Sequence, residues 1–329
     1  MPITIEPFTA DRGDAVYRLA RAAWEFDVAD IPFATPATFA TALAGQWPAT
    51  ARERYVALLD GEVAGYLGLK LPLADNLDKV DLEVLTDPRW RRRGVGREMM
   101  RFARERARAL GRTYFTGSTV DQRPGGGEFA VAMGAKIGLA ETRSRLDVPP
   151  PDQERLDALL AEAWQHAQGY RLVQWTGVAP EEYLADAAYL ESRYNLDAPT
   201  GELTTEPEKY DAERARANDA HRVAIGRTPI QTGAVHAGSG RMVGWTVIAG
   251  NDDTPTQAWQ SLTLVDPEHR GHRLGLIVKL ENLRHVRRLR PELTGIDTIN
   301  ASENERMLAI NEAIGFRPVD SWIEWELTL

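Results

Sequence analysis

The segment with the most chemistry in its spacing is Asp87-Pro88-Arg89-Trp90-Arg91-Arg92-Arg93-Gly94-Val95-Gly96. It lies between a strand-like apolar run and the start of an amphipathic helix. A helix start presents unpaired backbone N–H groups and the positive end of its dipole, so it attracts an anion. Gly94 and Gly96 lack a Cβ, which lets a diphosphate come close to the backbone. Arg91, Arg92 and Arg93 add charge-assisted hydrogen bonds. Neither GxGxxG nor GKS/T is present, which excludes a dinucleotide fingerprint and a Walker loop. The arrangement recurs with Arg270, Gly271, His272, Leu274 and Gly275 in order, but Arg273 stands where the first loop has Gly94. Its side chain either crowds an anion or swings outward and binds it. Before the loops, the strand carries Asp81 and Glu83 in the first half and Gln260 and Leu262 in the second. The carboxylates are candidate proton acceptors, and exposed strand charge is the alternative. Asn300, Asn304 and Asn311 cluster in the second half. Asn304 and Asn311, seven apart, share a helix face, and helix capping is the alternative role for this cluster.

The positioning elements follow from periodicity. In the first half, strands are expected at 3–7, 54–59, 63–71, 80–86, 113–120 and 137–148. Asp60-Gly61-Glu62 makes a tight hairpin turn between the second and third. Helices are expected at 11–26 and 94–110, with a short one after the glycine-rich stretch 124–127. In the second half, helices are expected at 153–167, 180–194, 207–225, 272–289 and 303–314. Strands are expected there at 170–175, 230–236, 242–248, 257–265, 294–300 and 316–327. Asp87-Pro88, Arg91 and Gly96 recur as Asp266-Pro267, Arg270 and Gly275, each shifted by 179. A constant shift in an unchanged order indicates a duplicated domain. Pro149-Pro150-Pro151 reads as a stiff linker. The expectation is two α/β domains, residues 1–148 and 149–329, each with a mixed sheet and flanking helices.

Composition narrows the classes. The 329 residues include 39 basic and 48 acidic side chains, a net charge of −9, and 43% are hydrophobic, which excludes a disordered chain. The absence of cysteine excludes disulfides, thiolate catalysis and cysteine-based metal sites. The six histidines show no metal-ligand spacing, so no metal is expected. No apolar run approaches the ~20 residues of a membrane helix, and no secretion signal opens the chain, so a cytoplasmic protein is expected. The arginine-dense stretch 89–112 does not mark a nucleic-acid site. Phe102 within it belongs to the helix's apolar stripe, and the second half is acidic.

Loop, hairpin, helix order and repeat together resemble the GNAT superfamily of acyl-CoA-dependent N-acetyltransferases, whose loop reads R/Q-x-x-G-x-G/A. Arg91, Arg93, Gly94 and Gly96 stand at that motif's positions, and Gly315-Phe316 matches its late Gly-Phe. Duplication makes the chain similar to tandem GNAT proteins of the mycothiol-synthase-like kind. The resemblance implies two sheets splayed between their fourth and fifth strands, with acetyl-CoA in each split. Its diphosphate would lie on the loops Arg91–Gly96 and Arg270–Gly275. Leu85, Thr86, Leu264 and Val265 at the strand ends, with Asn300 and Asn304, would line the rest. The amine attacks the thioester directly, so no protein nucleophile is needed. Candidate catalytic positions are Asp81 and Glu83 in the first half, and Gln260 and Asn311 in the second, where Glu324 and Glu326 are possible substitute bases. The family's acidic tyrosine is absent, because Ala130 and Asn311 occupy its places. Tyr194 and Tyr210 are the conceivable substitutes, or solvent protonates the thiolate. The asparagines and a larger acceptor-side insertion favour the second half as catalyst. The implied activity is acetylation of a primary amine on a small molecule by a monomer or homodimer. A non-catalytic CoA-binding sensor or scaffold, and an acetyltransferase acting on protein lysines or N-termini, are the alternatives.

Overall fold

The computed structural model describes residues 2–28, 30–121 and 125–329. Of the expected glycine-rich turn, Pro124 lies outside the described residues. The first repeat runs β1 (Ile3–Pro7), α1 (Gly13–Asp27), α2 (Pro36–Ala44), β2 (Thr50–Leu59), β3 (Glu62–Pro72), β4 (Lys79–Thr86), α3 (Val95–Ala109), β5 (Tyr114–Val120), α4 (Gly126–Ala132) and β6 (Lys136–Asp147). The second runs α5 (Gln153–Gln165), β7 (Tyr170–Thr176), α6 (Glu181–Ser192), α7 (Tyr194–Asp197), α8 (Ala212–Ala224), β8 (Ile230–His236), β9 (Met242–Ala249), β10 (Gln257–Val265), α9 (Leu274–Leu289), β11 (Gly295–Ala301), α10 (Glu305–Ile314) and β12 (Arg317–Thr328). Among these, α2 and the single turn α7 are helices that periodicity missed; α2 has no fully buried residue and packs on the core through the partly buried Phe39 and Leu43.

The chain forms two compact units, and they are not consecutive halves. One comprises Met1–Glu141, Thr200–Glu206 and Asp320–Leu329, and the other Thr142–Pro199 and Pro207–Val319. The linear expectation places a single cut near Pro149. The difference arises in the last strand of each repeat. In the first unit, β5 pairs antiparallel with β12, the chain's final strand, through Val120↔Trp322 to Tyr114↔Thr328. In the second unit, the neighbours of β11 are β10 and β6. Each repeat therefore lends its closing strand to the other repeat's sheet. A strand's partner is chosen by open ladder hydrogen bonds and a matching buried face, not by adjacency in the chain.

In the first unit the order β1-β2-β3-β4-β5-β12 is filled on one face by α3. Val95, Met99 and Ala103 of that helix pack on Leu67, Val80, Phe115 and Leu327. On the other face α1 sets Val16 and Leu19 against Val56 and Tyr66. The β2–β3 turn holds Asp60 and Gly61 both at positive φ, as a two-residue type I′ hairpin requires. In the second unit α9 packs Ile277 and Leu280 on one face with Ile248 and Ile296. The other face is filled by α6, where Tyr183 and Leu184 join Trp245, Val247 and Leu262. Among the described residues no helix is long and apolar enough to cross a membrane, and no three His, Asp or Glu side chains group as metal ligands.

Candidate active site

In the first unit β4 and β5 pair in parallel only from Lys79↔Tyr114 to Asp81↔Thr116, and then they part. The split opens into a cleft of about 840 Å³ that runs from Asp81 and Glu83 past Leu85 and Thr86 to Gly94 and Gly96. Local chemistry sets the loop at its end. The Asp87 carboxylate accepts the Arg89 N–H (2.9 Å) and so caps the turn Pro88–Trp90. Gly94, at φ +90°, is the N-cap of α3, and among the described residues no side chain caps that helix. Its first-turn N–H groups therefore leave the positive dipole end open toward the cleft. This arrangement fits a diphosphate.

The arginines divide their roles. Arg91 is held by Asp27 at 2.9 Å, stacks over Phe26 and reaches the Thr86 carbonyl, so it braces the loop against α1. Arg93 lies over Trp90, and the Arg92 side chain is 90% exposed, so these two are the guanidiniums with freedom to meet a phosphate. Val95 is buried and contributes through its backbone.

The second loop keeps the same backbone. Asp266 accepts the Glu268 N–H, and Arg270 pairs with Asp197 at 2.8 Å while reaching the Val265 carbonyl. Arg273 takes the left-handed conformation of Gly94, φ +55°, and its guanidinium swings out to Glu162 at 2.8 Å. Of the two placements open to this side chain, the outward one is present, with the guanidinium on a carboxylate. His272 contacts the His166 carbonyl, Leu274 is buried, and a Cβ at Gly275 would meet nothing closer than 3.7 Å. A non-glycine residue at positive φ costs roughly 1 kcal/mol. Arg273→Gly is accordingly expected to raise stability by about 0.5–1 kcal/mol, net of a weak exposed ion pair, as read from the urea unfolding midpoint.

Beyond the loop the units differ. In β10 the ladder shifts between Gln260 and Leu262, and the buried Gln260 amide donates to Val247 O, Leu262 O and Thr246 Oγ1 at 2.8–2.9 Å. Gln260 thus stitches an irregular strand together, and Leu262 and Leu264 pack with the apolar cluster under α6. Asn311 is buried, donates to Asn300 Oδ1 at 2.8 Å, and among the described residues its own Oδ1 has no partner. Asn304 accepts the Met307 N–H as the N-cap of α10. Tyr210 bonds Asn218 and covers Arg214.

The first unit instead gathers carboxylates. Strand register places Lys70 beside Asp81 (3.3 Å) and Ser118 beside Glu324 on one sheet face. The protein packed around its carboxyl and the neighbouring Asp81 raise the proton affinity of Glu83, and Arg52 and Arg54 oppose the rise. Glu324 is pushed up to about 7 by burial and by Glu141 and Asp81. The second-half role expected for Glu324 does not hold, because strand exchange carries β12 into the first unit. Glu326 goes with it and pairs with Lys79 at 3.6 Å. Since folding raises the Glu324 pKa, the folded state binds more protons between pH 4.5 and 7, and stability falls as pH rises through that window. Glu324→Gln should therefore raise the melting temperature at pH 8 and change it little at pH 4, a contrast that thermal melts at the two pH values would measure.

Splayed sheets, each facing an uncapped helix start, define an acyl-CoA-binding transferase fold. Residues 14–124 match the acetyltransferase (GNAT) family profile. A tandem GNAT protein from the clavulanic acid biosynthesis pathway is 32% identical over 99% of this chain and 98% of its own, with a TM-score of 0.79. A GCN5-related N-acetyltransferase from Sphaerobacter thermophilus shares the fold at 14% identity, 99% and 95% coverage and TM-score 0.68. A putative acetyltransferase from Pyrococcus horikoshii shares it at 12% identity, 99% and 89% coverage and TM-score 0.58. No curated protein gives a significant sequence match. The chain belongs to the GNAT acetyltransferase family as a tandem GNAT protein, and its acyl donor is acetyl-CoA.

Proposed function

We propose that the first unit acetylates a primary amine of a small molecule, with Glu83 as the proton acceptor. One observation carries this reading: the cleft that begins at the open N-terminus of α3 ends at Asp81 and Glu83. Acetyl-CoA supplies the activated thioester. An ammonium entering from the α1 side gives a proton to Glu83, and the freed lone pair attacks the thioester carbon. The C–N bond forms as the C–S bond breaks, the nitrogen gives its second proton to solvent, and the thiolate takes a proton from solvent, since Ala130 stands where the family's acid would be. Arg91 and Asp27 position the loop, which orients the donor. In the second unit Gln260 is held within its own strand and Leu262 is packed away, which supports a donor-binding role for that loop without turnover. This reverses the preference drawn from the asparagines, one of which is a helix cap.

A panel of small amines, read by thiol release and by the mass of an added acetyl group, tests the reading. Acetylation of at least one small amine is expected, at a rate that Arg270→Ala in the second loop does not abolish. Acetylation confined to protein lysines or N-termini would overturn it.

A further inference from the structure

The acceptor side of the first unit is a charge pattern set by strand register. Across β2, β3 and β4 the ladder aligns Arg52, Lys70 and Asp81 in one row and Arg54, Gly68 and Glu83 in the next. The following row, Val56, Tyr66 and Leu85, packs beneath α1. All three rows therefore face the α1 side, where the cleft opens. In the middle row Gly68 leaves a bay between a guanidinium and a carboxylate. A Cβ there would stand 3.3 Å from Glu83 Oε2 and 3.4 Å from the Tyr66 hydroxyl.

The ends of the bay are of opposite charge. Arg52 and Arg54 line the cleft from β2. Arg54 donates one nitrogen to Gly45 O at 2.9 Å, and Arg52 Nε is buried with no hydrogen-bond partner among the described residues. A buried guanidinium nitrogen without an acceptor is costly unless a ligand supplies one. Glu83 and Asp81 hold the other end. A polyamine would bring its second cation against two guanidiniums, so like-charge repulsion disfavours it. A ligand with a carboxylate and an amine satisfies both ends, and a planar carboxylate matches the guanidinium fork.

Resting on the proposed small-molecule activity, we propose that the acceptor is a zwitterion of the amino-acid class, its carboxylate against Arg52 and Arg54 and its amine presented to Glu83 across the Gly68 bay. The ammonium gives one proton to Glu83, its nitrogen gains the acetyl group and gives a second proton to solvent, and the carboxylate is unchanged by the reaction.

Matched pairs decide this: lysine and cadaverine, ornithine and putrescine, β-alanine and β-alaninamide. Each is assayed for thiol release with acetyl-CoA, and its binding to the protein is followed separately by ligand-observed NMR. For at least one pair, the acid is expected to exceed its carboxylate-free partner in kcat/KM by on the order of 100-fold. Arg54→Gln should shrink that preference to below about 10-fold, and Gly68→Val should abolish binding of the acid in the NMR experiment. Calorimetry with acetyl-CoA on each variant verifies that the donor cleft is folded. If carboxylate-free amines are acetylated as well as the acids or better, the inference falls and the small-molecule reading stands. If acetyl-CoA binds and no small amine is acetylated, both fall.

Discussion

Glu83→Gln is expected to lower kcat by about 10²–10⁴-fold while acetyl-CoA binds as in the wild-type protein, because glutamine keeps the shape of the side chain and cannot accept a proton. The site gives the carboxylate a particular poise. Burial and the neighbouring Asp81 favour its protonated form, while Arg52 and Arg54 on β2 favour its ionised form. A base so placed keeps more proton affinity than an ordinary carboxylate. Because its pKa lies above the usual carboxylate range, kcat/KM should climb with pH on the acid side and level off once Glu83 is ionised. In Glu83→Gln that acid limb should vanish. Stopped assays of thiol release across pH, with donor affinity measured by calorimetry, check both points. A loss below about 10-fold with the acid limb intact would move the base elsewhere. Glu324, bonded to Ser118 on the same sheet face and titrating near 7, would then be the next carboxylate to replace.

Asp297→Ala is expected to cost about 3–5 kcal/mol of stability, the largest single effect in the second unit. Asp297 on β11 is fully buried and accepts from Arg145 Nε and Nη2 at 2.7 Å each, Gln257 Nε2 at 2.7 Å and the fully buried Arg143 at 3.4 Å. Both arginines lie on β6, the strand that the first repeat lends to this sheet. Removing the carboxylate takes the charged partner from the fully buried Arg143 and from Arg145, whose side chain is 22% exposed, and breaking such a pair costs more than its net worth. Asp297→Asn keeps acceptor oxygen but loses the charge, and it should fall between the two. Urea unfolding followed by circular dichroism measures the series. A cost below about 1 kcal/mol for the alanine variant would mean that water reaches the arginines and that the exchanged strand is held by its backbone ladder alone.

How much of this was legible before the fold was known follows from the range of each interaction. The loops were readable because a helix start, its Asp-Pro turn and its glycines act within about ten residues. Asp87 and Asp266 cap their turns alike, and Arg91 and Arg270 meet Asp27 and Asp197 alike, which is the duplication expressed as contacts. Asp81 and Glu83 were nameable from the strand ahead of the loop, since alternation puts both on one face. Spacing could not separate the asparagines' roles, because capping and ligand binding use the same side chain, and only the tertiary structure shows that Asn304 accepts the Met307 N–H.

Sequence alone determined the local items: two repeats, a loop at a helix start in each, and a carboxylate pair in the first repeat only. Tertiary structure decided everything that depends on which strand lies beside which. Pairing of β5 with β12 brings Glu324 into the first unit's cleft face, although its own repeat lies in the other half of the chain. Pairing of β2 with β3 and β4 sets Arg54, Gly68 and Glu83 in a row, although the first and last are 29 positions apart in sequence. The physical reason is that a strand's side-chain pattern specifies which face is buried, whereas its neighbour is chosen by non-local hydrogen bonds and packing that no window of the sequence contains.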